Sequence, residues 1–272
     1  MASFDFTESR IVAEIYAQAL EASGYPVERA PGVAAREELE PALEQGLVDL
    51  IPEYAGTALN LLTDDPLAAS ADPAVTHERL VDAYADRKIA VLEAADVQSQ
   101  NALAVRRATA DRLDLSTVSD LRPIASDLVL GGPPECPSRP LCLVGFERVY
   151  GLRFERFIPL DVGGPLTIAA LHGGEVDVAV LFTSDRARSG EDVVFLTDDR
   201  GLQPAENITP VLRQDVSAAH GPGLARRIDQ VTRRLTGDDL SRLVHRADVD
   251  REAVTSLARA WLRQVDLVPA PA

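Results

Sequence analysis

The sequence predicts an α/β protein of two lobes, and three observations carry that expectation. A thirteen-residue pattern occurs twice, over residues 42–54 and 170–182, at a constant offset of 128. Helix-like and strand-like stretches alternate along nearly the whole chain. At 272 residues and 46% hydrophobic content, the chain can furnish two domains of ordinary size with a core in each. Each copy of the pattern closes a helix at a glycine, Gly46 or Gly174, passes through Val-Asp, and runs as a buried strand to an aromatic residue, Tyr54 or Phe182. A ring at a strand's carboxyl end lies where open α/β sheets bind ligands. The two copies therefore predict two lobes that each offer one ring to a shared cleft. A helix-to-strand turn without function is the plainer alternative, but agreement in register over the whole pattern favours the repeat.

The elements follow in order. Ile11, Ile15 and Leu20 at helical spacing predict a helix over 7–23, stopped by Gly24-Tyr25-Pro26. A short strand is expected at 27–30 and a loop at 31–34. A helix over 36–45, bent or shortened by Pro41, leads into the first repeat strand at 48–51. Helices at 55–62 and 73–87 precede a strand at 89–92, and the polar stretch 98–101 leads into another at 102–105. Short helices at 109–113 and 118–124, a strand at 128–130, a cysteine-containing loop and a helix toward Tyr150 fill the middle. The strand 157–160 feeds a glycine-proline helix start and the second repeat. Strands at 193–196 and 207–212 and helices at 223–235, 238–244 and 251–265 complete the chain. The alternation predicts largely parallel sheets. The second repeat sits wholly in the middle region, so lobe I is expected to be discontinuous, 1–101 with 199–272, and lobe II to be 102–198. The crossings near 98–101 and 197–203 would form a two-segment hinge.

A formal charge of −16 repels phosphate backbones and anionic head groups, and no basic patch offsets it, which argues against nucleic-acid binding. No apolar run reaches the length of a membrane span, and Met1-Ala2-Ser3 does not open an export signal. An exported form is expected to have lost its leader from this sequence. Cys136 and Cys142 are the only cysteines and stand in a proline-rich segment. They can close a small loop as a disulfide, which would place the mature protein outside the cytoplasm; two reduced thiols are the alternative. A metal site would need more ligands than the sequence places nearby.

No catalytic constellation assembles. His77, His172, His220 and His245 are dispersed, and the chain has no phosphate loop, nucleophile elbow or dinucleotide fingerprint. The Gly163-Gly164 turn before a helix could present amides to an anion. Binding is the expected activity, without catalysis or cofactor. Tyr54 and Phe182 in a cleft could hold a cation against their faces at about 0.5 to 2 kcal/mol per contact.

Several segments together resemble the substrate-binding proteins of glycine betaine, choline and carnitine ABC importers. They are Phe6-Thr7-Glu8, Pro52-Glu53-Tyr54-Ala55-Gly56-Thr57, residues 100–105, Tyr150-Gly151-Leu152, residues 160–167 and residues 174–179. The resemblance implies a type II periplasmic-binding-protein fold. It also implies extracytoplasmic capture of an osmoprotectant, as a periplasmic or lipid-anchored monomer, and delivery to a membrane permease driven by an ATPase. By that resemblance Tyr54 matches one tyrosine of a quaternary-ammonium box, and Thr57 a carboxylate-binding threonine. Phe182 stands where a second box tyrosine is usual. Arg139 aligns with a carboxylate-binding arginine and Ser9 with a polar contact. The other two box tyrosines fall on Asn101 and Ala205, so half of the aromatic box is missing, which would lower cation affinity unless Glu206 or another carboxylate compensates. The departure leads us to expect a bulkier or less cationic ligand than glycine betaine. A sensor domain binding the same ligand, or a bilobal enzyme of the porphobilinogen-polymerising kind, are the competing classes. The first would require a fused output module and the second a reactive cysteine and a basic cleft.

Overall fold

The computed structural model describes residues 1–32, 35–185 and 190–269. Val33 and Ala34 of the expected 31–34 loop lie outside the described residues. The chain divides into two compact units, Met1–Gln98 with Ala205–Ala272, and Ser99–Pro204. The sequence reading changed lobes at 101/102 and 198/199; the units change at 98/99 and 204/205. Asn101 already opens a ladder of the second unit. The segment after residue 198 is held there because Asp198 accepts from the Tyr150 hydroxyl and from the amides of Leu202 and Gln203.

Eight strands are described: β1 (Leu50–Tyr54), β2 (Ile89–Val91), β3 (Asn101–Arg106), β4 (Val129–Gly132), β5 (Arg156–Pro159), β6 (Val178–Phe182), β7 (Val193–Phe195) and β8 (Ile208–Arg213). In the first unit they form a three-stranded sheet in the order β1-β8-β2, and in the second a five-stranded sheet in the order β5-β4-β6-β3-β7. The expected largely parallel sheets are not found. The first sheet is antiparallel throughout, and in the second only β4 pairs in parallel, with β5 and β6. The reason is topological. Each strand that follows a crossing starts beside the aromatic end of a repeat strand, Ile208 opposite Tyr54 and Asn101 opposite Phe182, so it must run back against it. Residues 27–30 contribute a single bridge, Ala2 with Ala30, instead of a strand, and Gln214–His220 is a helix that the sequence reading did not place.

The two repeats fold alike down to individual bonds. Helix α2 (Arg36–Glu44) and the helix Pro165–Gly173 end before Gly46 and Gly174, at φ +75° and +77°, the left-handed conformation that lets a chain leave a helix. In the first copy the amides of Leu47 and Val48 donate to Ala42 O at 2.9 and 3.3 Å; in the second those of Glu175 and Val176 donate to Ala170 O at 3.0 and 3.3 Å. Each turn also receives an arginine from the end of the crossing strand. Arg213 lies 3.8 Å from Asp49, and Arg106 lies 3.7 Å from Asp177 while donating to the carbonyls of Leu171 and Val176. The repeat therefore extends beyond the thirteen residues to the antiparallel partner strand.

In the first unit α1 (Thr7–Glu21) is the central helix, its apolar side chains almost wholly buried against Pro222–Thr232, Gly237–Asp248 and Val254–Gln264. The Tyr16 hydroxyl is 2.8 Å from Thr232 Oγ1 in that core. In the second unit β6 buries both faces, Val178 and Val180 on one side and Ala179 and Leu181 on the other, as a central strand covered on two sides requires. Cys136 and Cys142 are joined as a disulfide.

A buried acid braces the first unit. Glu40 on α2 accepts from the hydroxyl of Tyr84, at 2.6 Å, on α4 (Pro73–Ala85), and its other oxygen, Oε2, has no partner. Burial, reinforced by the nearby Glu53 carboxylate, pushes its carboxyl up to about 8. A protonated Glu40 can keep accepting from Tyr84 and use Oε2–H as a donor.

Two outcomes follow. Alanine at Gly46 or Gly174 must adopt positive φ at a cost of about 1 to 2 kcal/mol, and at Gly46 its Cβ also displaces the Arg213 guanidinium. Denaturant unfolding of each variant should show that loss. Because Glu40 holds its proton in the folded state up to about 8 and the unfolded chain releases it near 4.5, stability should fall as pH rises between those values. Glu40→Gln, which mimics the protonated form, should flatten this decline in melting temperature measured from pH 5 to pH 8.

Candidate functional site

In the first unit the end of β1 gathers rings and carboxylates. Tyr54 caps the start of α3 (Ala55–Thr63), and its ring lies 5.7 Å from Phe6 and 6.3 Å from Phe4; Phe4 and Phe6 are stacked at 6.1 Å. The Tyr54 hydroxyl donates to Glu8 Oε1 at 2.8 Å, and burial together with the Glu8 charge raises its pKa well above the usual tyrosine value. Glu53, fully buried, accepts from Arg36 through Nε and Nη2 at 2.9 Å each and from the Tyr54 amide at 2.7 Å. The Arg36 guanidinium sits 4.8 Å over the Phe4 ring, a cation–π contact that already covers one aromatic face.

Thr57, in the first turn of α3, directs its amide at Glu206 Oε2, 3.1 Å, and its hydroxyl at Glu206 Oε1. Glu206 is 4% exposed. Burial pushes its carboxyl up to about 7, against the Thr57 hydroxyl bond and the Arg36 charge, which favour the ionised form. Ser9 is fully buried, and its Oγ accepts from the Phe4 amide at 3.0 Å, which fixes the ring-bearing amino-terminal segment on α1. Ala205 is also fully buried, its amide donating to Ser70 O at 2.8 Å. The structure thus brings Tyr54, Thr57, Glu206 and Ser9 into one neighbourhood and adds Phe4, Phe6, Glu8 and Arg36, which sequence reasoning did not assign. The aromatic pair Phe4-x-Phe6 preceding the helix was the available signal.

In the second unit Phe182 ends β6 opposite Asn101, and its amide donates to Asp185 Oδ2 at 2.8 Å. Gly163, at φ +58°, permits the close approach, since a Cβ there would lie 2.9 Å from both the Phe182 ring and Asp185 Oδ2. Asn101 Nδ2 and Gln203 Nε2 both donate to Leu141 O, at 3.3 and 3.0 Å. Asn101 therefore anchors the disulfide loop to β3, and Arg139 is carried half-buried on that loop between the two cysteines. The amides after Gly163-Gly164 are not open to an outside anion as the sequence suggested. Asp161 accepts from Gly164, Leu166 and Thr167 at 3.2, 2.9 and 2.9 Å, and from the Thr167 hydroxyl at 2.7 Å.

Comparison with known proteins bears on both units at once. A family described as the substrate binding domain of ABC-type glycine betaine transport systems matches residues 1–264. The chain is 27% identical to a glycine-betaine-binding protein of Pseudomonas aeruginosa, over 97% of this chain and 86% of that one. It is 22% identical to an ergothioneine transport permease/ergothioneine binding protein of Helicobacter pylori, over 96% of this chain and 46% of that one. Among solved structures, a glycine betaine/carnitine/choline ABC transporter component superposes with a TM-score of 0.78 at 22% identity, covering 98% of both chains. That likeness supports the type II periplasmic-binding-protein fold, with mixed sheets in place of largely parallel ones. With the family's pattern matched over almost its whole length, this chain belongs to the substrate-binding domains of ABC-type glycine betaine transport systems.

Proposed function

We propose that the protein captures a small quaternary-ammonium compound, of the glycine betaine, choline or carnitine class or a bulkier relative, and delivers it to the permease of an ABC importer powered by an ATPase. The observation that carries this reading is the grouping of Phe4, Phe6 and Tyr54 beside buried carboxylates in a chain of this family. Ring faces and carboxylates together attract a cation that cannot donate hydrogen bonds. Glycine betaine is in the name of the Pseudomonas aeruginosa relative, and the Helicobacter pylori relative combines permease and ergothioneine binding in its name. They support the transport role and leave room for a larger ligand. Capture would take place outside the cytoplasm by a monomer, on a periplasmic or lipid-anchored protein, and the disulfide supports that setting.

Phe4 and Phe6 partly make up for the rings that Asn101 and Ala205 do not supply, so the reading does not require the full four-tyrosine box. Phe182, Asn101 and Arg139 are proposed as the second unit's contribution. Isothermal titration with glycine betaine, choline, carnitine and ergothioneine should detect at least one ligand at micromolar affinity, and Tyr54→Leu should weaken it about tenfold or more. Absence of heat with all four would overturn the proposal.

A further inference from the structure

In both units the chain closes a helix start with a carboxylate of its own. Asp161 takes the first-turn amides of the helix Pro165–Gly173, and Glu206 takes the amide and hydroxyl of Thr57 at α3. The two cases differ in one respect: Asp161 lies four residues before its helix, whereas Glu206 comes from the segment entering β8, 149 residues away. That carboxylate reaches the end of β1 because Asn207 O accepts from the Ala55 amide at 3.1 Å and Ile208 pairs with Tyr54. It is thereby held on Thr57, three residues after Tyr54 in the chain.

Glu206 is 4% exposed, and the nearby Arg36 guanidinium is already committed to Glu53 through Nε and Nη2. A ligand carboxylate arriving here would find the Thr57 donors occupied and a buried anion beside it, in a low-dielectric setting where like charges repel strongly. A ligand that is only a cation meets the opposite situation.

We propose that Glu206 is a specificity-determining residue: a built-in counter-ion that fills the Thr57 donors, so that the site prefers an organic cation without a carboxylate over a zwitterion. The inference rests on the ligand-capture reading above and narrows its substrate class. Choline represents the preferred chemistry and glycine betaine the disfavoured one. Thr57 from α3, Arg36 from α2 and Glu53 from β1 act on the Glu206 carboxyl, and Gln98 Oε1 accepts from the Glu206 amide. Arg36 stays charged, so the titrating partner of a bound cation is Glu206, whose carboxyl lies near neutrality at about 7. Cation binding should then favour loss of its proton.

Titration calorimetry with choline and glycine betaine tests this on the full chain. The wild type should bind choline at least about tenfold more tightly than betaine, with choline affinity rising from pH 6 to pH 8. Glu206→Gln keeps an acceptor for Thr57 and should weaken choline, narrow or invert the ratio, and remove the rise with pH. Thr57→Val, which leaves the Glu206 charge in place, should retain the choline preference. Betaine binding equal to or tighter than choline, or an unchanged ratio and pH response in Glu206→Gln, would overturn the role of Glu206 while leaving ligand capture intact. Binding of neither compound nor of carnitine or ergothioneine would overturn capture itself.

Discussion

The ion pair between Arg36 and Glu53 is the constraint on which the ring-bearing end of β1 depends. Glu53 shares a face with Ile51 and alternates with Pro52 and Tyr54 on a strand buried along its whole length, so its carboxylate cannot reach water. A buried charge left alone costs several kcal/mol, of order 3 to 5 when one partner is removed, and here three donors meet it: two from Arg36 and one from the Tyr54 amide. Several features follow from that placement. Arg36 fixes the start of α2 against β1 and lies over Phe4. The negative field of Glu53 helps keep Glu40 protonated, and Glu40 ties α2 to α4 through Tyr84. Tyr54 is held at a set angle by the same carboxylate that accepts its amide.

Much of this was legible in the sequence, because it depends on local rules. Gly46 and Gly174 announce left-handed helix ends, and a glycine followed by Val-Asp and an apolar run specifies a helix-to-strand turn in both copies. The direction of strand pairing was not legible. A buried strand has the same apolar composition whether its neighbour runs with it or against it, and β3 and β8 acquire their direction from where the chain crosses between units. What the sequence did offer, unnoticed, is that both crossing strands are six residues long, end in arginine and pass directly into seven-residue helices, Arg107–Leu113 and Gln214–His220. Their arginines then close the repeat turns.

The candidate site divides along the same line. Tyr54, Thr57 and Glu206 were readable from their motifs, and the structure brings them together. Asn101 and Ala205 were readable as departures from the family's pattern, but the rings beside Tyr54 were not. Phe4 and Phe6 are separated from Tyr54 by nearly fifty residues, and only tertiary packing makes the three rings neighbours. Ser9 illustrates the reverse case. It occupies a position expected to be polar toward a ligand, yet its hydroxyl is bound to the Phe4 amide and orients a ring.

A binding scaffold can change its ligand without losing its fold if the change is made by groups already satisfied within the protein. Glu206 meets that condition. Its carboxylate accepts both Thr57 donors, and the Arg36 charge further favours its ionised form, so part of the cost of burying it is offset before any ligand arrives. The same two Thr57 donors could instead have served an incoming carboxylate, and an internal acid that occupies them turns a site for zwitterions into one for cations. In the proposed site, a fixed negative charge attracts a cation as a ring face does, where each ring contact is worth about 0.5 to 2 kcal/mol, but without a ring's geometric demands. Electrostatic attraction would there stand in for stacking.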